Sequence, residues 1–175
     1  MDKLDKIAVV AIAALLAWAL VLIVYTSGTG HKNKITGRQR QLNARQYLDP
    51  NLAKKIKQVK NLLAAGSLEK AGLLADEMIK KYPFEGMPYM LKGDFLLHKQ
   101  DPIGAMLNYK EAVDLNPDFL DKNTKVFQGI KIKQTVAEAQ AMIEKALADG
   151  SDDAKLQKNK KVLYYMLRKI AGGCE

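Results

Sequence analysis

Hydrophobic and polar positions follow three regimes along this chain. From Ile7 to Tyr25 the run IAVVAIAALLAWALVLIVY holds 19 residues without a charge. Residues 26–49 are polar and basic. From residue 50 onward, apolar positions return at spacings of three and four, interrupted by short turn signals, which is the pattern of amphipathic helices. The first regime predicts a transmembrane helix: at about 1.5 Å per residue it reaches roughly 28 Å, close to the hydrocarbon thickness of a bilayer. Signal peptides usually carry a shorter apolar region of about 7–15 residues and a small-x-small cleavage site. The following YTSGTG has no clean A-x-A, so the span is expected to stay uncleaved, with residues 1–6 as a short tail.

The third regime repeats itself. NYKEAVDLNP at 108–117 echoes LADEMIKKYP at 74–83, 34 residues earlier. Ala71, Ala105 and Ala139 keep that spacing, as do Met78, Ala112 and Ala146, and Ala75, Tyr109 and Ile143. Frames therefore begin near Leu52, Gly86 and Leu120, giving units at about 52–85, 86–119 and 120–151 within residues 50–151. In the second frame YMLKGDFLLHKQ reads as a first helix, DP as a turn and helix start, and IGAMLNYKEAVDL as a second helix. Pro117 then stops the chain, because proline lacks an N–H and restrains the residue before it. Gly93 and Ala105 would let the two helices approach closely, with Tyr109 and Ala112 on the Ala105 face. Lys110 is expected on the outer face. Ahead of the first frame Asp49 and Pro50 supply an N-cap and a first helical residue.

This pattern resembles the tetratricopeptide repeat, most sharply at Tyr89, Gly93, Ala105, Tyr109, Ala112 and Pro117. The first frame keeps Gly66, Ala71 and Pro83. The third keeps Ala139, Ile143 and Ala146, departs from the pattern in NTKVFQGIKI and lacks the proline. The implied fold is all-α: an N-terminal transmembrane helix, then a TPR-like α-solenoid of about three helix pairs, closed by a capping helix over 152–170. Leu163, Met166, Leu167 and Ile170 form that helix's apolar stripe, and residues 171–175 are a tail. The resemblance also implies a concave groove lined by the first helix of each repeat. Carried onto this sequence, the groove positions are Ile56, Lys57, Lys60 and Leu63, then Met87, Met90, Leu91, Asp94 and His98, then Lys125, Gln128 and Lys131. Of these, Leu63 and Leu91 are expected to belong to the core. Methionine and leucine flanked by lysine suit an amphipathic helix or a short peptide with acidic residues.

Locating the net charge of +9 changes the picture. Residues 31–60 hold nine lysines and arginines against Asp49 alone, a balance of +8, while residues 1–30 sum to zero and everything after Lys60 to +1. A basic collar therefore adjoins a near-neutral domain. Lys32, Lys34, Arg38, Arg40 and Arg45 in the connector 26–49 are candidate contacts for anionic lipid head groups, against the plainer reading of a solvated spacer. They outnumber Lys3 and Lys6 on the other side of the span, which predicts a single-pass protein of a bacterial inner membrane with a cytoplasmic repeat domain. The paired N-terminal lysines leave the opposite orientation open. Nucleic acid is disfavoured, because no base-reading motif or stacking array accompanies the collar.

Nothing in the sequence assembles a catalytic site. His31 and His98 stand apart, and no metal, thiol-pair, phosphate-loop or nucleophile-elbow motif occurs. Asp94 could hydrogen-bond His98 one turn on, Asp152 or Asp153 faces a helix N-terminus, and Cys174 has no activating base beside it. The expectation is a non-catalytic, cofactor-free scaffold or assembly factor that binds a protein or peptide partner and no small-molecule substrate. Two rivals are an accessory subunit packed into a larger membrane complex, and an anionic-lipid or nucleic-acid binder acting through the collar.

Overall fold

A computed structural model describes residues 49–172 of the chain. The expected span Ile7–Tyr25, the collar residues Lys32, Lys34, Arg38, Arg40 and Arg45, and Cys174 lie outside the described residues. Within 49–172 the fold is all-α: α1 (Pro50–Ala64), α2 (Leu68–Lys81), α3 (Gly86–His98), α4 (Pro102–Leu115), a 3-10 turn (Pro117–Phe119), α5 (Gly129–Ala148) and α6 (Ala154–Gly172). None of these described helices is long and apolar enough to cross a membrane. Each packs on the next, α3 also reaches α1, and α6 also reaches α4.

The helix starts follow from local chemistry. The Asp49 carboxylate accepts from the Asn51 N–H and the Asp101 carboxylate from the Gly104 N–H, each ahead of a proline whose missing N–H costs nothing in the first turn. Asp49 also accepts from the Tyr82 hydroxyl at 3.0 Å. The backbone bond to Asn51 and the tyrosine bond together hold its pKa below the ordinary carboxylate value. Asp153 caps α6 through the Leu156 N–H, as the GSDDAK stretch predicts.

The turns inside the first two frames have a common backbone feature. Gly66, between α1 and α2, sits at φ +69°, and Gln100, between α3 and α4, sits at φ +59°. These two positions are 34 residues apart, and the left-handed conformation reverses the chain at both. Glycine adopts it freely. Glutamine does not, so Asp101 and Pro102 must dictate the second turn.

The third frame departs from this plan. Its corresponding turn position is Gln134, in QTV, which offers no glycine, proline or cap and lies inside α5. The expected pair over 120–151 is therefore replaced by a single helix of 20 residues, Gly129–Ala148. The first helix expected from NTKVFQGIKI instead becomes a folded connector over 120–128. Thr124 donates to the carbonyls of Asp118 and Asp121, Asn123 N–H donates to Asp121, and Gln128 N–H closes on Phe119 O at 2.8 Å. Such side-chain to backbone bonds compete with helix. Reversal waits until Gly150, φ +80°, and the helix expected over 152–170 as a lone cap is α6, packed against both α5 and α4. Ala139 is buried as expected, but in α5 ahead of the turn, and Ala146 is only half-buried.

Two apolar clusters share α3. Leu52, Val59, Leu63, Ala71, Met78, Leu91 and Phe95 form one, and Met90 joins Met106, Tyr109, Phe119, Ile132, Ile143 and Met166 in the other. Glycines set the helix spacing. A Cβ on Gly72 would meet the Phe95 ring at 2.9 Å, and one on Gly93 would overlap the Tyr109 ring. Ala105 and Ala112 have no exposed surface. Lys110, expected to be a bland outer position, is half-buried: it pairs with Glu111 at 3.0 Å and Asp114 at 3.1 Å and lies over the Tyr165 ring.

Ala105→Leu should therefore lower the stability of residues 50–170 by about 1–3 kcal/mol, the usual cost of overpacking. Lys133→Ala, on the exposed side of α5, should change it by less than about 0.5 kcal/mol. Urea denaturation followed by circular dichroism checks both. Equal small shifts would mean that Ala105 is not at a helix contact.

Candidate functional site

The cavity that gathers the sequence-predicted groove residues lies across α1, α3 and α5. It has a volume of about 580 Å³ and is lined by Lys60 and Leu63 from α1, by Asp94, Leu97 and His98 from α3, and by Lys131 from α5. Helix periodicity places these residues together. Lys60 and Leu63 are three apart, and Asp94, Leu97 and His98 are three and four apart, so each set occupies one face.

The chemistry concentrates at Asp94. Its Oδ1 accepts the Tyr109 hydroxyl at 2.6 Å and the Lys131 Nζ at 2.6 Å, and that ammonium stands 5.6 Å from the Tyr109 ring centre. Three helices are joined at one carboxylate oxygen. Tyr109 has no exposed surface, and burial above all, with the neighbouring Asp94 charge, pushes its phenol pKa far above 10.0. Because the folded state favours the protonated phenol, this contribution to stability is present below pH 10 and declines as the pH rises above the unfolded tyrosine's pKa. The spacing allows Asp94 to meet His98 one turn on. The structure pairs it with Tyr109 and Lys131 instead, because a packed hydroxyl and an ammonium arrive from two other helices, and leaves His98 exposed in the cavity.

Of the predicted groove set, Lys60, Leu63, Asp94, His98 and Lys131 come together, and the others fall elsewhere. Met90 is 1% exposed and belongs to the core between α3 and α4, as does Leu91 to the core between α1 and α3. Ile56 and Met87 are half-buried against the same clusters. Lys57 lines a separate shallow depression with Lys54 and Asn61. Lys125 is exposed in the 120–128 connector and Gln128 is the residue before α5, because that helix starts late. Leu97 was missed. Its position three after Asp94 places it on the same helix face, a signal that the helical period carries.

Helix α2 is tied to its neighbours by ion pairs, exposed for Lys55 with Glu77 and for Lys99 with Glu69 at 2.9 Å, and part-buried for Lys92 with Asp76 at 2.7 Å. Surface pairs of this kind contribute little to stability, about 0–1 kcal/mol each. Among the described residues, no cluster of histidine, cysteine and acids could hold a metal ion. The chain matches no protein-family model, no curated protein and no solved structure.

A double-mutant cycle tests the Asp94 junction. Asp94→Ala should cost about 1–3 kcal/mol, because it orphans the buried Tyr109 hydroxyl. Adding Tyr109→Phe should recover part of that loss, since no orphan then remains. Additive losses in thermal or urea unfolding would mean that the two side chains act independently.

Proposed function

We propose that this chain is a membrane-anchored tetratricopeptide-type adaptor: the apolar stretch Ile7–Tyr25 holds it in a bilayer, and the helical domain binds a segment of another protein. One observation carries this reading. Lys60, Asp94, His98 and Lys131, positions implied by the repeat resemblance, line one cavity across alternate helices, and Leu63 and Leu97 lie beside them. The 34-residue recurrence of Ala71 with Ala105, and of the positive-φ turns at residues 66 and 100, supports the same assignment for the first two helix pairs. The third pair, α5 and α6, follows with a longer first helix.

The cavity suits a short amphipathic helix or extended peptide with acidic residues. Lys60 is exposed and has no carboxylate within salt-bridge distance among the described residues, so it is available to an incoming acid. Lys131 is committed to Asp94, which keeps that end of the cavity nearly neutral and demands a partner with few charges there. Leu63 and Leu97 offer an apolar floor. This is helix-in-groove recognition, in which apolar anchors supply affinity and flanking charges supply register. Five basic residues after the span against two before it favour a cytoplasmic domain.

Purification of the tagged full-length chain in mild detergent, followed by mass spectrometry, should yield a specific protein partner. Lys60→Glu should weaken that association at least about tenfold, a loss of roughly 1.4 kcal/mol, without shifting the melting temperature. A partner retained equally by Lys60→Glu would place the contact elsewhere. A partner recovered at fixed stoichiometry, buried over other faces and insensitive to groove substitutions, would favour the accessory-subunit reading.

A further inference from the structure

The charge of the helical domain is unevenly distributed: its first and last helices are basic, α1 with Lys54, Lys55, Lys57 and Lys60 and no acid. Residues 61–153 carry eleven lysines against fifteen acids, a balance of −4, whereas α6 carries Lys155, Lys158, Lys160, Lys161, Arg168 and Lys169 with no acid. The overall balance of +1 after Lys60 hides this division. On α6 the buried side is Leu156, Asn159, Leu163 and Met166. Opposite them Lys158, Lys161, Tyr164 and Arg168, spaced by three and four, form one exposed stripe, and Tyr164 is 52% exposed. Among the described residues none of Lys155, Lys158, Lys160, Lys161 and Arg168 has a carboxylate within 4.0 Å. On the packed helix α4, Asp114 is engaged by Tyr165, Lys110 and Lys169. Asp152 and Asp153, ahead of α6, are bound to Gln157 and the Leu156 N–H.

We infer that this face of α6 docks on an anionic lipid surface, the bilayer that the chain's own apolar stretch would occupy. Unpaired cations spread along one exposed helix face suit a plane of phosphate head groups, and an exposed tyrosine among them suits the interfacial layer. Lipid is favoured over nucleic acid because the 19 uncharged residues Ile7–Tyr25 would hold the domain beside a membrane at all times. The 24-residue connector 26–49 could span at most about 80 Å, so the local concentration of head groups is high. The inference rests on the anchored reading above, but it concerns a different face from the Lys60 cavity.

The test reconstitutes the full chain in vesicles of phosphatidylcholine alone and of equal parts phosphatidylcholine and phosphatidylglycerol. A membrane-permeant acetylating reagent then labels lysines, read by mass spectrometry. Lys158 and Lys161 should react about fivefold more slowly in the anionic vesicles, the factor corresponding to one cation near such a surface. Lys70 and Lys80 on α2 should be unchanged, and high salt should restore reactivity. In the variant Lys161→Gln/Arg168→Gln, Lys158 should lose most of its protection. Equal labelling in the two vesicle types overturns the inference. So does protection of these lysines by a duplex oligonucleotide, in neutral vesicles, that equals or exceeds that given by phosphatidylglycerol. Alkaline carbonate extraction of the same vesicles reports on the anchor separately. A chain that is extracted but still protected disproves the span and keeps the docking face, and a chain that stays inserted without protection does the reverse.

Discussion

Tyr109 enters the interior through the space that Gly93 leaves open, and its hydroxyl must find a partner there or its burial becomes costly. The partner is Asp94, on the same helix as that glycine, and Lys131 completes the junction from α5. Close helix approach, aromatic filling and charge compensation are thus one arrangement. Replacing any member disturbs the other two, because a carboxylate stripped of donors, or a hydroxyl stripped of its acceptor, would be left partly buried. The junction also shapes the cavity. By holding Lys131 against α3 it forms one wall, and it leaves Lys60 and His98 exposed at the cavity.

The distribution of charge gives the domain two distinct faces. The helices between α1 and α6 are mildly acidic, and the α2 acids Glu77, Asp76 and Glu69 pair with Lys55, Lys92 and Lys99 of their neighbours. Helix α6 keeps Lys158, Lys161 and Arg168 exposed and without a carboxylate partner among the described residues, while Lys169 reaches Asp114. The proposed adaptor, tethered as inferred above, would need two kinds of contact, a specific one for a partner and a broad one that limits how the domain tumbles. The Lys60 cavity suits the first and the α6 stripe the second.

The helix content and the first two turns were legible in the sequence because each has a local cause. Asp49 with Pro50 and Asp101 with Pro102 signal helix starts, Gly66 permits a reversal, and Ala71 with Ala105 marks close contacts. The third frame was misread because alanine spacing alone does not say which helix an alanine belongs to. Ala139 keeps the 34-residue interval and is buried, yet without a breaker at Gln134 it lies before the turn and not after it. The groove was legible wherever a polar residue sat on a helix face with a clear period, as with Lys60, Asp94 and His98. It failed at Lys125 and Gln128, whose placement depended on the late start of α5, and at Met90, whose apolar side chain fits a core as readily as a groove. The Asp94 junction was invisible, since it needs three helices brought together over a separation of 37 residues.

The central claim is that α3, α4 and α5 are fastened into one unit by Tyr109, Asp94 and Lys131. Native-state hydrogen exchange on the full chain, followed amide by amide through increasing denaturant, tests it most directly. The account predicts that the slowest amides of these three helices converge on one opening free energy. Protection of α5 that is lost at markedly lower denaturant than that of α3 and α4 would contradict it.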